Sequence, residues 1–113
     1  MKKIGLLSDT HGYLDDAVFK YFDECDEIWH AGDFGPGVAV PLANFKPLRG
    51  VYGNIDSQDI RTAFPEHLKF DCEQVPVWMT HIGGYPDHYA PSVKKEIYTM
   101  PPKLFISGHS HIL

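Results

Sequence analysis

Five short apolar runs in this chain are each followed at once by side chains that can bind metal ions. The first run leads into Ser8-Asp9-Thr10-His11-Gly12, the second into His30-Ala31-Gly32-Asp33 and the third into Tyr52-Gly53-Asn54-Ile55-Asp56. The fourth leads into Thr80-His81 and the last into Ser107-Gly108-His109-Ser110-His111. The candidate ligands are therefore Asp9, His11, Asp33, Asn54, His81, His109 and His111. They offer imidazole nitrogens, carboxylates and one amide carbonyl, with no thiolate. That donor set suits Mn²⁺, Fe²⁺, Zn²⁺ or Ni²⁺ better than soft or purely oxygen-loving metals. Seven ligands exceed what one tetrahedral site needs, and they suffice for two ions if one carboxylate bridges. In extended backbone, residues i and i+2 share a face, so Asp9 with His11, and His109 with His111, could bind one ion or straddle two.

Position along the chain strengthens this reading. In open α/β sheets, ligands bind beyond the carboxyl ends of the strands, which is where these side chains fall. Gly32, Gly53 and Gly108 directly precede Asp33, Asn54 and His109. A glycine there lets the backbone turn sharply off a strand and approach a ligand closely. Any one Gly-polar pair is an ordinary turn; the recurrence at successive strand ends points to a shared site.

The elements that must position these residues are short. Ile4 to Leu7, Glu27 to Trp29, Leu48 to Tyr52, Val75 to Met79 and Leu104 to Ile106 read as buried strands. Phe64 to Cys72 reads as a hairpin partner of the fourth, turning at Glu73-Gln74. Leu14, Val18, Tyr21 and Phe22 follow the spacing of an amphipathic helix, with Asp15 and Asp16 in its first turn. Val38 to Phe45 predicts a short helix, and Ser92 to Met100 another, capped by Ser92 and ended by Pro101-Pro102. This alternation predicts an α/β fold with mainly parallel pairing.

Composition sets the bounds. The 113 residues fit one domain, and 43% hydrophobic with 22% charged residues is a globular balance. A formal charge of −5 argues against an extended nucleic-acid track, while two divalent ions would nearly cancel it and admit a small anionic substrate. No apolar stretch approaches a membrane span, and the N-terminal run is too short for a signal-peptide core. Cys25 and Cys72 lack metal or redox spacing, so the sequence reads as a cytoplasmic protein with two inert thiols. Among the other histidines, His30 reads as a packed side chain, with support to a ligand as the alternative. His67 reads as surface, and His88 as a loop residue able to touch substrate. Trp78, Tyr85 and Tyr89 read as packing residues, Lys94 and Lys95 as a solvated helix face.

Taken in order, D-x-H, G-D, G-N, a lone His and G-H-x-H resemble the calcineurin-like metallophosphoesterase superfamily over nearly the whole chain, and its small bacterial and archaeal phosphodiesterase branch most. The resemblance implies a four-layer αββα sandwich. It implies one ion on Asp9, His11, Asp33 and His111, a second on Asp33, Asn54, His81 and His109, and Asp33 as the bridge. Mn²⁺ is the first expectation for both, and Asp33, Asn54 and His81 carry the implied catalytic role. The implied reaction is hydrolysis of a small phosphate ester by a hydroxide held between the metals. Many members place His directly after G-N; here Ile55 stands there, which favours diesters or good leaving groups and leaves Asp56 and His88 as stand-ins for a general acid. The glycines after His81 also come one residue late, at Gly83-Gly84. Relatives continue beyond G-H-x-H, so residues 1–113 are expected to be a single but incomplete domain lacking C-terminal strands of the second sheet. An open sheet edge would favour homo-oligomers. The rivals are a non-catalytic scaffold of the same fold, as in retromer, and an inactive remnant.

Overall fold

Strands form where the apolar runs lie. In the computed structural model, which describes residues 2–85 and 88–108 (the backbone alone at 84, 85 and 88), Ile4–Leu7 forms β1, Glu27–His30 β2 and Leu48–Gly50 β3. His67–Cys72 forms β4 and Val75–Thr80 β5; Gly84–Tyr85 (β6) and His88–Tyr89 (β7) make a small ribbon, and Leu104–Ser107 forms β8. The helices are Ala17–Tyr21 (α1), Ala39–Phe45 (α2), Gln58–Ala63 (α3) and Pro91–Thr99 (α4).

One sheet runs β1-β2-β3 and is wholly parallel. The other runs β4-β5-β8, antiparallel at its hairpin and parallel between β5 and β8. Side-chain alternation explains how they stack. On β2, Trp29 joins Val77 and Met79 of β5 in a core between the sheets, while Ile28 turns to the opposite side to meet Phe34, Val38 and Leu42 under the first three helices. On β5, Trp78 points away from the other sheet and packs on Val93 and Ile97 of α4. The layers are thus helix, sheet, sheet, helix, as expected. Each large apolar side chain buried in these cores contributes about 1.5–3 kcal/mol. Trp29 and Phe70 bridge the sheets edge to face, with ring centroids 4.9 Å apart.

Register places the chemistry. Leu7 pairs with His30, and His30 with Gly50, so the segments after β1, β2 and β3 leave the sheet at one edge. Thr80 pairs with Ser107, which brings His81 and Gly108 out together from the other sheet.

Several boundaries differ from the sequence reading. The first helix is confined to Ala17–Tyr21, and Asp15 and Asp16 precede it; Asp15 Oδ1 accepts the Ala17 N–H at 2.9 Å. β3 stops at Gly50. The last helix starts one residue before Ser92, at Pro91, where a missing N–H costs nothing. α3 was not expected, because its only packed residues, Ile60 and the following Phe64, are too few to set up a periodicity. Among the described residues, no helix is long and apolar enough to cross a membrane.

Candidate metal centre

The segments leaving the first sheet are bonded to one another as well as to their strands. Asp9 N–H donates to the Gly32 carbonyl at 2.9 Å, His11 N–H to that of Asp33 at 3.1 Å and Gly12 N–H to that of Phe34 at 2.8 Å. This short ladder fixes Asp9 and His11 beside Asp33. Thr10 adds its hydroxyl, which donates to the Phe34 carbonyl at 2.7 Å and accepts from His30 Nε2 at 3.1 Å. His30 Nδ1 then accepts the Gly32 N–H at 3.1 Å, and its ring stacks on Phe34 with centroids 3.8 Å apart. Burial lowers the pKa of this ring to about 4, against the opposing pull of the Asp56 and Asp9 carboxylates. It stands as a neutral tie between the first two segments, a packed histidine that also supports the site.

Asp56 ties in the third segment. One of its oxygens accepts from Phe34 and Gly53 N–H at 3.2 and 2.9 Å, the other from Gly35 N–H at 3.0 Å. A buried carboxylate committed to three backbone donors has no role as a general acid, so the suggestion that Asp56 replaces the histidine absent at Ile55 is corrected.

Four of the seven expected ligands meet in this frame. His11 Nε2 lies 3.7 Å from Asp9 Oδ1 and 3.5 Å from Asp33 Oδ2. His81 Nε2 approaches the same two oxygens at 3.7 and 3.1 Å. Each carboxylate presents one oxygen to the centre and has the other bonded behind it. The Ser8 hydroxyl bonds Asp9 Oδ2, and Ile55 N–H donates to Asp33 Oδ1 at 3.1 Å. His81 Nδ1 lies 2.8 Å from the Ala31 carbonyl, which can only accept, so Nδ1 carries the proton and Nε2 faces the carboxylates. An imidazole anchored this way through its far nitrogen is typical of metal-bound histidine.

The glycines are needed for this convergence. Gly32 has φ +103°, and a Cβ there would lie 2.6 Å from His81 Nδ1. A Cβ on Gly53 would overlap Asp33 Oδ1. The expectation was that these glycines bring the backbone close to a ligand; the groups they admit are the neighbouring candidate ligands. Gly108 lies against Asp9, with its Cβ position 3.0 Å from Oδ2.

Asn54 lines a cleft of about 460 Å³ that it shares with His81. His109 and His111 lie outside the described residues. His67 is half-buried rather than surface, and its Nδ1 accepts the Trp78 indole N–H at 3.3 Å. Tyr89 and Trp78 pack with Phe105, as expected.

Two carboxylate oxygens and two imidazole nitrogens gathered this closely form a donor set that can share a bound cation. Asp9, His11 and Asp33 have the spacing to hold a metal ion, with one donor atom of each within 4.8 Å of the others. Asp33 and His81 side chains are only 3% exposed, whereas His11 is 45% exposed, so the centre has a buried floor and an open side. The donors present fit a first-row divalent ion.

Two sheets packed face to face between helices, with carboxylates and imidazoles collected at the carboxyl ends of both, define a metal-binding hydrolase type of site. Residues 1–113 match the calcineurin-like phosphoesterase superfamily domain, and the chain belongs to that family. It is 31% identical over 115 residues to a probable metallophosphoesterase of Methanothermobacter thermautotrophicus, covering 96% of this chain and 66% of that protein. A solved archaeal phosphodiesterase is 25% identical with a TM-score of 0.76, over 99% of this chain and 74% of the other. Vps29 from Entamoeba histolytica, solved in complex with Zn²⁺, shares the fold at 12% identity and a TM-score of 0.74, over 97% of this chain and 65% of its own. The chain thus spans about two thirds of the length of the Methanothermobacter relative.

Proposed function

We propose that this chain forms the metal-binding part of a phosphoesterase that hydrolyses phosphodiesters, or phosphomonoesters with good leaving groups, with two divalent ions. The carrying observation is the meeting of His11 Nε2 and His81 Nε2 with Asp9 Oδ1 and Asp33 Oδ2 at 3.1–3.7 Å. In this reading Asp9, His11, Asp33 and His111 hold one ion, and Asp33, Asn54, His81 and His109 the other, with Mn²⁺ the first candidate. Asp33 suits the bridging place because its Oδ2 lies 3.5 and 3.1 Å from the two imidazoles, closer than Asp9 Oδ1 at 3.7 Å from each. When bound, such ions supply Lewis acidity toward a phosphoryl oxygen and acidify a water molecule.

The chain's own residues do the positioning. Ser8 and the Ile55 N–H turn the carboxylates inward, and the Ala31 carbonyl holds His81 in one tautomer. Ile55 is 48% exposed at the position after Asn54 and brings no proton to a leaving group. A substrate whose leaving group needs no protonation is therefore preferred, which favours aryl leaving groups in monoesters and diesters alike.

The test is hydrolysis of bis(p-nitrophenyl) phosphate with added Mn²⁺. Wild type should turn it over and lose activity with chelator, while Asp33→Asn should lose about 100-fold or more. Retention of half the wild-type rate by Asp33→Asn contradicts the reading. Ion binding with no turnover would instead identify a scaffold or an inactive remnant.

A further inference from the structure

The cleft beside the candidate centre contains a cation that pairs with no carboxylate among the described residues. Of the two arginines, Arg49 pairs with Glu27 at 3.1 Å. Arg61, in the last turn of α3, is held differently. Its Nε donates to the Asp56 carbonyl at 3.0 Å and its Nη2 to the Asn54 carbonyl at 3.3 Å, and its Cζ sits 4.6 Å from the centre of the Tyr52 ring. These acceptors are neutral. Among the described residues no carboxylate forms an ion pair with Arg61, and Nη1 makes no hydrogen bond.

The geometry points to Arg61 as an anion anchor: the cleft takes phosphate esters that carry a second anionic group, such as nucleotide esters with a further phosphate. This rests on the phosphoesterase reading of the adjoining centre. An exposed arginine usually loses rotamer freedom when it grips a ligand; here the guanidinium is already held by two carbonyls and the Tyr52 ring. The cleft also holds Asn54 and His81, so a substrate at the centre extends past Arg61. Its volume of about 460 Å³ suits a nucleotide-sized ligand. Arg61 touches Asn54 and Asp56 rather than the carboxylate–imidazole cluster, so it meets a group beyond the reacting phosphoryl. Glu66, on the same cleft wall, has one oxygen 3.5 Å from the Tyr52 hydroxyl and the other 4.0 Å from His67 Nε2.

The test compares thymidine 5′-(p-nitrophenyl phosphate) with the same ester bearing a 3′-phosphate. The leaving group is identical, and only the second anion differs. With Mn²⁺, wild type should show kcat/KM about tenfold higher for the 3′-phosphorylated ester, mainly through KM. Arg61→Gln should bring the ratio close to one, and Arg61→Lys should restore part of it. The ratio does not depend on how much active variant survives. Equal kcat/KM for the two esters in wild type, or an undiminished preference in Arg61→Gln, overturns the assignment. Hydrolysis of neither ester, nor of bis(p-nitrophenyl) phosphate, by wild type removes the phosphoesterase reading and this inference with it; hydrolysis without preference removes the inference alone.

Discussion

Asp9, His11 and Asp33 adopt φ of 56°, 51° and 59°, a left-handed conformation that packing alone does not select. For a residue with a Cβ this costs about 1–2 kcal/mol, and such strain concentrates at functional sites. The side chain of His11 is 45% exposed and belongs to none of the apolar cores, so the strain there serves no core contact. Substituting His11→Gly should therefore keep or raise stability, by up to about 1 kcal/mol in urea unfolding, while metal-dependent activity falls. A clear loss of stability would show that the conformation is not strained. His30 gives a pH signature. Burial holds the folded ring neutral down to about pH 4, while an unfolded chain protonates near 6.5. Stability from this residue is complete above pH 6.5 and is lost as pH falls toward 4, by up to about 3 kcal/mol. The urea midpoint of wild type should drop more steeply across that window than that of His30→Gln; parallel curves would count against the neutral tie.

At the level of elements, the hairpin between β4 and β5 turns on Glu73 and Gln74, with φ of 48° and 72°. Two residues with positive φ are the pattern of a type I′ turn, which asks for Asn-Gly. Replacing Gln74→Gly should stabilise the chain by about 1 kcal/mol, read as a higher urea midpoint with unchanged activity; no gain would mean the turn is already relaxed. The same hairpin shows what was legible in the sequence. Apolar runs bounded by turn residues marked the strands of both sheets, because burial on two faces demands such runs. α3 escaped, since a six-residue helix with one packed face position carries no periodic signal. With it escaped Arg61, whose role depends on carbonyls of Asn54 and Asp56 that no sequence pattern reveals. Asp56 was visible as a carboxylate beside Asn54, but its three backbone donors come from two different segments and exist only in the fold.

For the whole molecule, the decisive feature is that two sheets open at the same end. Asp9, His11 and Asp33 arrive from the parallel sheet and His81 from the mixed one, so the centre forms only when the core between Trp29, Val77 and Met79 is packed. That convergence was readable from ligand-competent residues recurring after each strand; the face-to-face stacking was implied only by family resemblance, and the order of the strands was not read from the sequence at all. A chain with a formal charge of −5 and clustered carboxylates gains from cations at this point. The most direct test is an anomalous-difference map from crystals soaked in Mn²⁺. Two peaks about 3.5–4 Å apart are expected between Asp9, His11, Asp33 and His81, with Asp33 nearest to both. A map with no peak among these four side chains, under conditions that leave them ordered, would contradict the account.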